Sequence, residues 1–559
     1  MLNAIISKHQ ATLEQAVQAL HGRTFFSQYP ENPSPKVYGA EADAQGREAF
    51  LGRRGQSFAE LQQGAPEAWA GQEESPYEQA ALGIKYPYYA PETLVHNAQQ
   101  AFDAWRKLKP AYRAALLIES LEGMKQRFFE IGYATMHTTG QAFLMSFQAS
   151  GPHAADRALE AVAAGYEEQT RFPEETRWDK PMGKYTIRLN KTWRPVPKGV
   201  ALVIGCSTFP TWNTVPGMYA SLVTGNPVVI KPHPKAVLPI AIVVAEVQKV
   251  LVAAGLPATI CQLAVDADDH LITKELAEHP TVKLIDYTGG TEFGNYIESL
   301  QSKGKTVFTE KTGVNSVILD SCDDLDKVAQ NLAFSVSLYS GQMCTAPQNF
   351  FIPEQGVKVA GTLVPFEEVV QKLAGAVQGL ATNPKAAPHV LGAIQNPATH
   401  ERVEQMAQSG HRNVLAHGKV QNSTFQNART CSPALYEVDA TLKEHFSREL
   451  FGPIMLAIKT KNSHESVKLA AELAREYGAI SCAAYTTDAE LKEEIMDQMS
   501  LAGTAVSFNL TGGFYVNQNA AFSDFHVTGG NPAGNASFTN PEFVLKRFTW
   551  VGFREPIAS

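Results

Sequence analysis

Short apolar runs alternate with helical segments between residues 200 and 310, and that alternation limits the fold more than any other feature of the chain. The pattern predicts strands at Val200–Ile204, Pro227–Lys231, Ala258–Leu263, Val282–Tyr287 and Thr306–Thr309. Helices are predicted between them over Pro216–Thr224, Leu238–Ala254, Leu271–Glu278 and Glu292–Lys303. Strands joined by helices in this rhythm form a parallel sheet covered on both faces. Such sheets bind ligands beyond the carboxyl ends of their strands. The fold class is therefore α/β.

The flanks fit around this unit. Residues 1–90 carry one helical period, Ile5 to Leu20, and then a loop-rich stretch with Pro30, Pro33 and Pro35. Helices are predicted from Pro91, near Tyr112–Ile131 and near His153–Thr170. Residues 184–196 alternate as a strand, with a turn expected near Asn190. A second alternating stretch follows residue 344, with strands at Phe350–Ile352, Met455–Ile458, Ile480–Tyr485 and Thr504–Phe508. The tail at Phe543–Phe553 is again strand-like.

Composition removes several function classes. The net charge of −8 leaves no basic stripe for nucleic acid. The longest apolar run, Ala236 to Ala245, is about ten residues, against the ~18 that a membrane span needs. The six cysteines, Cys206, Cys261, Cys322, Cys344, Cys431 and Cys482, form no CxxC pair, and the histidines form no metal-type cluster. The chain reads as a cytoplasmic protein with free thiols and no metal or membrane partner.

Cys344 differs from the other cysteines. It stands among polar and small residues, in Tyr-Ser-Gly-Gln-Met-Cys-Thr-Ala-Pro, where a thiolate can be exposed and activated. It could equally be a small buried residue in a helix. Asn213, in a segment between a strand and a helix, can aim its amide at an oxyanion, or it can cap the helix. Lys231 ends a buried strand, where a parallel-sheet ligand sits. Tyr287-Thr-Gly-Gly-Thr-Glu-Phe-Gly294 is a Gly-rich turn from a strand into a helix, which lets backbone N–H groups approach a pyrophosphate.

Taken in order, these segments resemble the aldehyde dehydrogenase superfamily from about residue 91 to the end. Phe209–Pro216 looks like the family's proline–tryptophan–asparagine segment, and Gly225–Pro232 like its Gly-Asn-x-Val-Val-x-Lys-Pro strand. Ala254–Pro257 is its Ala-Gly-Leu-Pro turn, and Tyr287–Thr291 resembles its cofactor turn. Glu310–Val314 is an altered form of its base motif. Gly341–Cys344 is its Gly-Gln-x-Cys, and Glu449–Pro453 its Glu-x-Phe-Gly-Pro. The tail Phe522–Asn535 and the long N-terminal extension look like the PaaN group of phenylacetate-degradation proteins.

The resemblance implies an aldehyde dehydrogenase-like fold with a Rossmann-like cofactor domain, an α/β catalytic domain and a β oligomerisation arm. Its expected units are an extension over 1–90, a cofactor domain over 91–312 interrupted by the 184–196 hairpin, a catalytic domain over 313–515, and an oligomerisation segment over 516–559. It implies a Cys344 nucleophile that carries the acyl group as a thioester. The oxyanion would be held by Asn213 and the Cys344 backbone N–H, with Glu310 as the base. Glu449 would bind the nicotinamide ribose, with Phe451 beside the nicotinamide. Lys231 would bind the adenosine ribose, with Trp212 near the adenosine side, and Gly289 and Gly290 would flank the pyrophosphate.

Departures shape the expectations further. Pro234 stands where NAD-preferring members often carry a glutamate, and His233 and Lys235 bracket it, so NADP⁺ is favoured over NAD⁺. Gly290 replaces a usual serine. The expected substrate is an aldehyde or semialdehyde, of the kind formed after ring opening in aromatic catabolism and possibly carried as a coenzyme A thioester. Two other readings remain open: a coenzyme A-acylating dehydrogenase, and a noncatalytic scaffold with this fold. A dimer or dimer of dimers is expected from the arm.

Overall fold

The computed structural model describes all of the chain except residues 1, 268, 516–520, 523–528, 537–539 and 558–559. The 523–528 part of the tail motif therefore lies outside the described residues.

The predicted alternation builds a five-stranded parallel sheet. Its order across the sheet is Thr306–Glu310, Val282–Thr288, Val200–Ile204, Val228–Lys231, Cys261–Leu263. The sequence starts at the centre, runs to one edge, then returns to the other side. The crevice at this reversal lies between the carboxyl ends of Val200–Ile204 and Val282–Thr288, which is where such sheets take ligands. Every residue of Val200–Ile204 and Val228–Lys231 is buried, as continuous apolar strands require when both faces are covered. The helix Leu238–Ala253 is apolar nearly all round and almost wholly buried, so it packs inside the layer and not on its surface.

A second, seven-stranded sheet follows residue 312. Ile454–Thr460, Asn349–Pro353 and Ser316–Leu319 lie at its centre. Two of its strands, Arg412–Leu415 and Ala434–Asp439, carried no clear sequence signal.

The arm differs from expectation. Glu175–Pro181 and Thr186–Pro197 form its hairpin, and Phe548–Pro556 pairs antiparallel along the second strand. The turn lies at 182–185, where Gly183 takes φ +69°, and the strand runs unbroken through Asn190. Both faces of this strand are largely open to solvent, so no inside–outside contrast marked its length in the sequence. Residues 542–545, expected as strand, are a short helix before it.

The N-terminal extension is more ordered than its composition suggested. Leu2–Gly22 packs against Pro110–Lys125 and Pro152–Thr170, and Ala42–Arg53 packs against Phe128–Thr139. Asp156 accepts hydrogen bonds from Ser27 Oγ (2.7 Å), Gln28 N (2.9 Å) and Tyr29 N (3.3 Å), which fix the irregular stretch between these helices.

Candidate active site

Cys344 sits in a turn after a short helical segment, Leu338–Gly341, whose backbone is unusual. Tyr339, Ser340 and Gly341 all take left-handed φ, near +52°, +49° and +66°. Such conformations cost free energy for non-glycine residues and persist only where the surroundings hold them. Here they are held. Ser340 Oγ donates to the carbonyls of Cys431 (2.9 Å) or Leu391 (3.1 Å), and Tyr339 Oη donates to Thr139 O. A Cβ at Gly341 would lie 2.5 Å from Gly452 O, so the nucleophile turn and the Glu449–Pro453 turn touch backbone to backbone. Asn315 Nδ2 donates to Cys344 O at 2.7 Å, and its Oδ1 accepts from Ile480 N and Ser481 N. The altered base motif thus contributes an anchor for the nucleophile.

Two cavities meet at Cys344. One, of about 780 Å³, is mostly apolar, with Phe26, Met145, Trp212, Phe334 and Tyr515 among its walls. The other, of about 290 Å³, is the more polar of the two and is lined by Asn213, Gly289, Gly290, Glu310, Glu449 and Phe451, among others. Cys344 and Phe209 line both. The neck between them is thus a thiol.

Glu310 ends the edge strand of the cofactor sheet and is buried. The C-terminal tail fastens that edge. Thr309 N donates to Asn535 Oδ1 at 2.8 Å, and Asn535 N donates back to Thr309 O at 2.9 Å. Gly534 is required there, since a Cβ would lie 2.1 Å from Thr309 O. The Cys344 thiol lies beside the Glu310 carboxylate, and both line the second cavity. Burial pushes this thiol well above the usual range, and the negative charge of Glu310 pushes it further. The resting thiol therefore keeps its proton, and a base must take it before attack.

Asn213 lies in the first turn of the helix Pro210–Val223 and does not cap it. Its Nδ2 donates to both Glu310 oxygens at 3.2 Å. Cys206 Sγ donates to Asn213 Oδ1 at 3.6 Å, and burial pushes that second thiol up to about 11. The amide is thus held against the Glu310 carboxylate on the wall of the second cavity.

The polar cavity suits a dinucleotide on its own geometry. Gly290 begins the helix Thr291–Ser299 without a side-chain cap, and a Cβ on it would meet nothing within 4 Å. Open N–H groups at a helix start favour phosphate. The Glu449 carboxyl is half-buried beside this space, and its desolvation there pushes its pKa up to about 8. Arg402, also on the wall, donates to Phe451 O at 2.6 Å and fixes that turn.

Other expected residues fall elsewhere. Trp212 lines the apolar cavity and not the polar one, a correction to its expected place near adenosine. The reason is helical geometry: neighbouring residues point about 100° apart, so Asn213 reaches the polar side while Trp212 faces away. Lys231, His233 and Lys235 line neither cavity. Lys231 Nζ lies 2.6 Å from Asp266 Oδ2, with both side chains 2% exposed. A carboxylate absent from the sequence neighbourhood of the lysine thus arrives from beyond the Cys261–Leu263 strand. His233 is half-buried, its pKa pushed down to about 4 by desolvation and nearby lysines, and its Nδ1 accepts from Lys235 N. It is neutral at pH 7.

Sequence reading missed Arg157. Its guanidinium stacks 3.9 Å from the Trp212 ring centre; burial lowers its pKa, and the nearby Glu160 and Glu310 carboxylates oppose that fall. The signal was available: Asp156, Arg157 and Glu160 interrupt an otherwise alanine-rich buried helix. No group of three or more His, Cys, Asp or Glu among the described residues could hold a metal, and no described helix is long and apolar enough to cross a membrane.

Comparison with known proteins places the chain in a family. Residues 90–532 match the profile of the aldehyde dehydrogenase family. The chain is 26% identical over 385 residues to the alpha-ketoglutaric semialdehyde dehydrogenase of Bacillus subtilis, covering 68% of this chain and 74% of that protein. It is 25% identical over 397 residues to a 1-pyrroline-5-carboxylate dehydrogenase of the same organism, covering 69% and 72%. The crystal structure of an NAD-dependent aldehyde dehydrogenase from Burkholderia multivorans superposes with a TM-score of 0.96 at 43% identity, covering 100% of this chain and 99% of that one. The chain belongs to the aldehyde dehydrogenase family and is an oxidoreductase acting on aldehydes.

Proposed function

We propose that the protein oxidises an aldehyde to a free carboxylic acid through a thioester on Cys344. The observation that carries this reading is the neck: one thiol, with a buried carboxylate beside it, stands where an apolar cavity meets a more polar one. Glu310 takes the thiol proton, and the thiolate attacks an aldehyde carbon presented from the apolar side. Asn213 Nδ2 and the Cys344 backbone N–H receive the developing oxyanion. A nicotinamide cofactor held by Glu449, Phe451 and the Gly289–Gly290 turn supplies the acceptor for the departing hydride. Glu310 gives up the thiol proton to solvent and then, as a carboxylate again, draws a proton from water; the hydroxide displaces the acyl group as free acid, and Cys344 leaves as the thiolate, which regains a proton.

The cofactor we infer is NAD⁺, against the sequence expectation of NADP⁺. That expectation rested on a missing carboxylate and on two flanking cations. Asp266 supplies a carboxylate at Lys231, and His233 is neutral, so Lys235 remains the only expected attraction for a 2′-phosphate. The substrate inferred from the PaaN resemblance is a semialdehyde of aromatic catabolism, in a cytoplasmic enzyme. We assign residues 91–312 to the cofactor domain and 313–515 to the catalytic domain. The hairpin over 175–197, with the Phe548–Pro556 strand, forms an oligomerisation arm whose exposed Trp178, Tyr185, Trp193 and Phe553 are covered in a homodimer or dimer of dimers.

The test follows reduced nicotinamide by absorbance with a panel of aldehydes and either cofactor. Wild type turns over and releases free acid without coenzyme A. Cys344→Ala loses at least about 10,000-fold in turnover. Activity surviving in Cys344→Ala, or acyl release that depends on coenzyme A, would overturn the reading.

A further inference from the structure

The apolar cavity is not walled by the family's chain alone. Phe25, Phe26, Pro30 and Glu31 line it, and all precede residue 90, where the family match begins. Phe25 is 75% exposed at its rim, and Phe26 meets Phe522 edge to face at 5.2 Å. This wall is irregular backbone, so its place depends on what ties it down. The tie is Asp156, which also lines the cavity and accepts the hydrogen bonds of Ser27, Gln28 and Tyr29.

The charge of this cavity is one-sided. Among the described residues that line it there is no lysine or arginine, while Glu31 and Asp156 supply carboxylates. His153 is paired with Glu31 at 2.6 Å, and His389 is the other titratable group on the wall besides Cys344 and Tyr515. Arg157 stacks on the Trp212 ring at 3.9 Å and is not itself among the residues that line the cavity. The stretch 516–528, which adjoins the wall residue Tyr515, contains neither lysine nor arginine in its sequence. A free carboxylate drawn into this space would lose its hydration and gain no cation.

We propose that the N-terminal segment 25–32 is a specificity wall, latched by Asp156, which admits aldehydes on a long uncharged or aromatic chain and rejects those ending in a free carboxylate. The inference rests on the proposed aldehyde oxidation at Cys344 and narrows its substrate class: the far end of a semialdehyde must enter masked, as an ester, thioester or neutral group. Asp156 is a positioning residue here, acting through the segment that it holds.

The experiment compares suberic semialdehyde with its methyl ester, identical in chain and different in charge, at saturating NAD⁺. The ester is expected to have a kcat/KM about 30-fold above that of the free acid. Equal values, or a preference for the acid, would overturn the proposal while leaving aldehyde oxidation intact. Calorimetric binding of methyl octanoate and octanoate to Cys344→Ala asks the same question without turnover, so an inactive enzyme still gives an answer. There, too, the ester is expected to bind more tightly, and parity overturns the proposal. Gln148→Arg, which adds a cation to the wall, should move the acid-to-ester ratio about tenfold toward the acid. Asp156→Ala should raise KM for the ester severalfold with little change in kcat. A fall in kcat with KM unchanged would show that the segment does not position substrate.

Discussion

The polar cavity beside Cys344 draws its walls from residues 206 to 451, all inside the family match, whereas the apolar cavity takes part of its wall from residues 25–32, ahead of that match. The first is held by backbone features: left-handed turns at 339–341, a glycine contact at 341 and 452, and an edge strand clamped by Gly534 and Asn535. The second is held by side chains that meet across more than a hundred residues of sequence, with Asp156 at the centre. Chemistry common to a family is thus built into rigid elements. Selection among substrates is left to a segment that can vary without disturbing them.

The sharpest break between the two sides is expected at Glu310. Glu310→Gln removes the base but keeps the shape of the polar cavity, and turnover should fall about 1,000-fold. The thiol should respond in the opposite sense. Glu310's charge adds to burial in raising the Cys344 pKa, and glutamine removes the charge but not the burial. Alkylation by iodoacetamide should therefore begin at lower pH in the variant than in wild type. An unchanged alkylation profile would mean that the carboxylate does not act on the thiol.

How much of this could be read from the sequence follows the same division. Cys344, Glu310 and Glu449 stand in motifs because turns and strand ends demand particular residues there, and such demands leave local patterns. The five-stranded sheet was legible for a similar reason, since buried parallel strands must be apolar throughout. The specificity wall left no pattern: Ser27–Tyr29 has no period, and its partner lies on a distant helix. Asp266 was invisible as the partner of Lys231 because only the sheet brings the two strand ends together. The turn of the arm was misplaced because a strand exposed on both faces has no alternation to end.

Trp212 tests the division from the other side. If its indole belongs to the apolar cavity, Trp212→Ala should raise the aldehyde KM about tenfold, since a large aromatic wall is lost. The NAD⁺ KM should stay within about twofold, because Asn213 and not Trp212 faces that space. The reverse pattern in steady-state kinetics would return the indole to the cofactor side and erase the distinction between the two cavities at this helix.

The smallest expected effect concerns stability, and it separates a cavity prepared for a polar ligand from one that is merely buried. The Glu449 carboxyl has its pKa raised to about 8 in the folded protein, chiefly by burial. In the unfolded chain it loses its proton in the usual carboxylate range. Between those two values the folded protein binds a proton that the unfolded chain has released, so stability falls as pH rises through this window. Above about pH 8 the penalty is full and no longer changes. Glu449→Gln keeps a neutral polar group in the same place and removes the titration. Its Tm advantage over wild type should therefore be least near pH 5, widen toward pH 8 by a few degrees, and then level off, as differential scanning calorimetry can show. Saturating NAD⁺ should narrow the gap in the same measurement, because a ligand that engages the carboxylate stabilises the charged form of wild type alone. A gap that ignores both pH and cofactor would mean that Glu449 is solvated and that the polar cavity holds no buried charge in reserve.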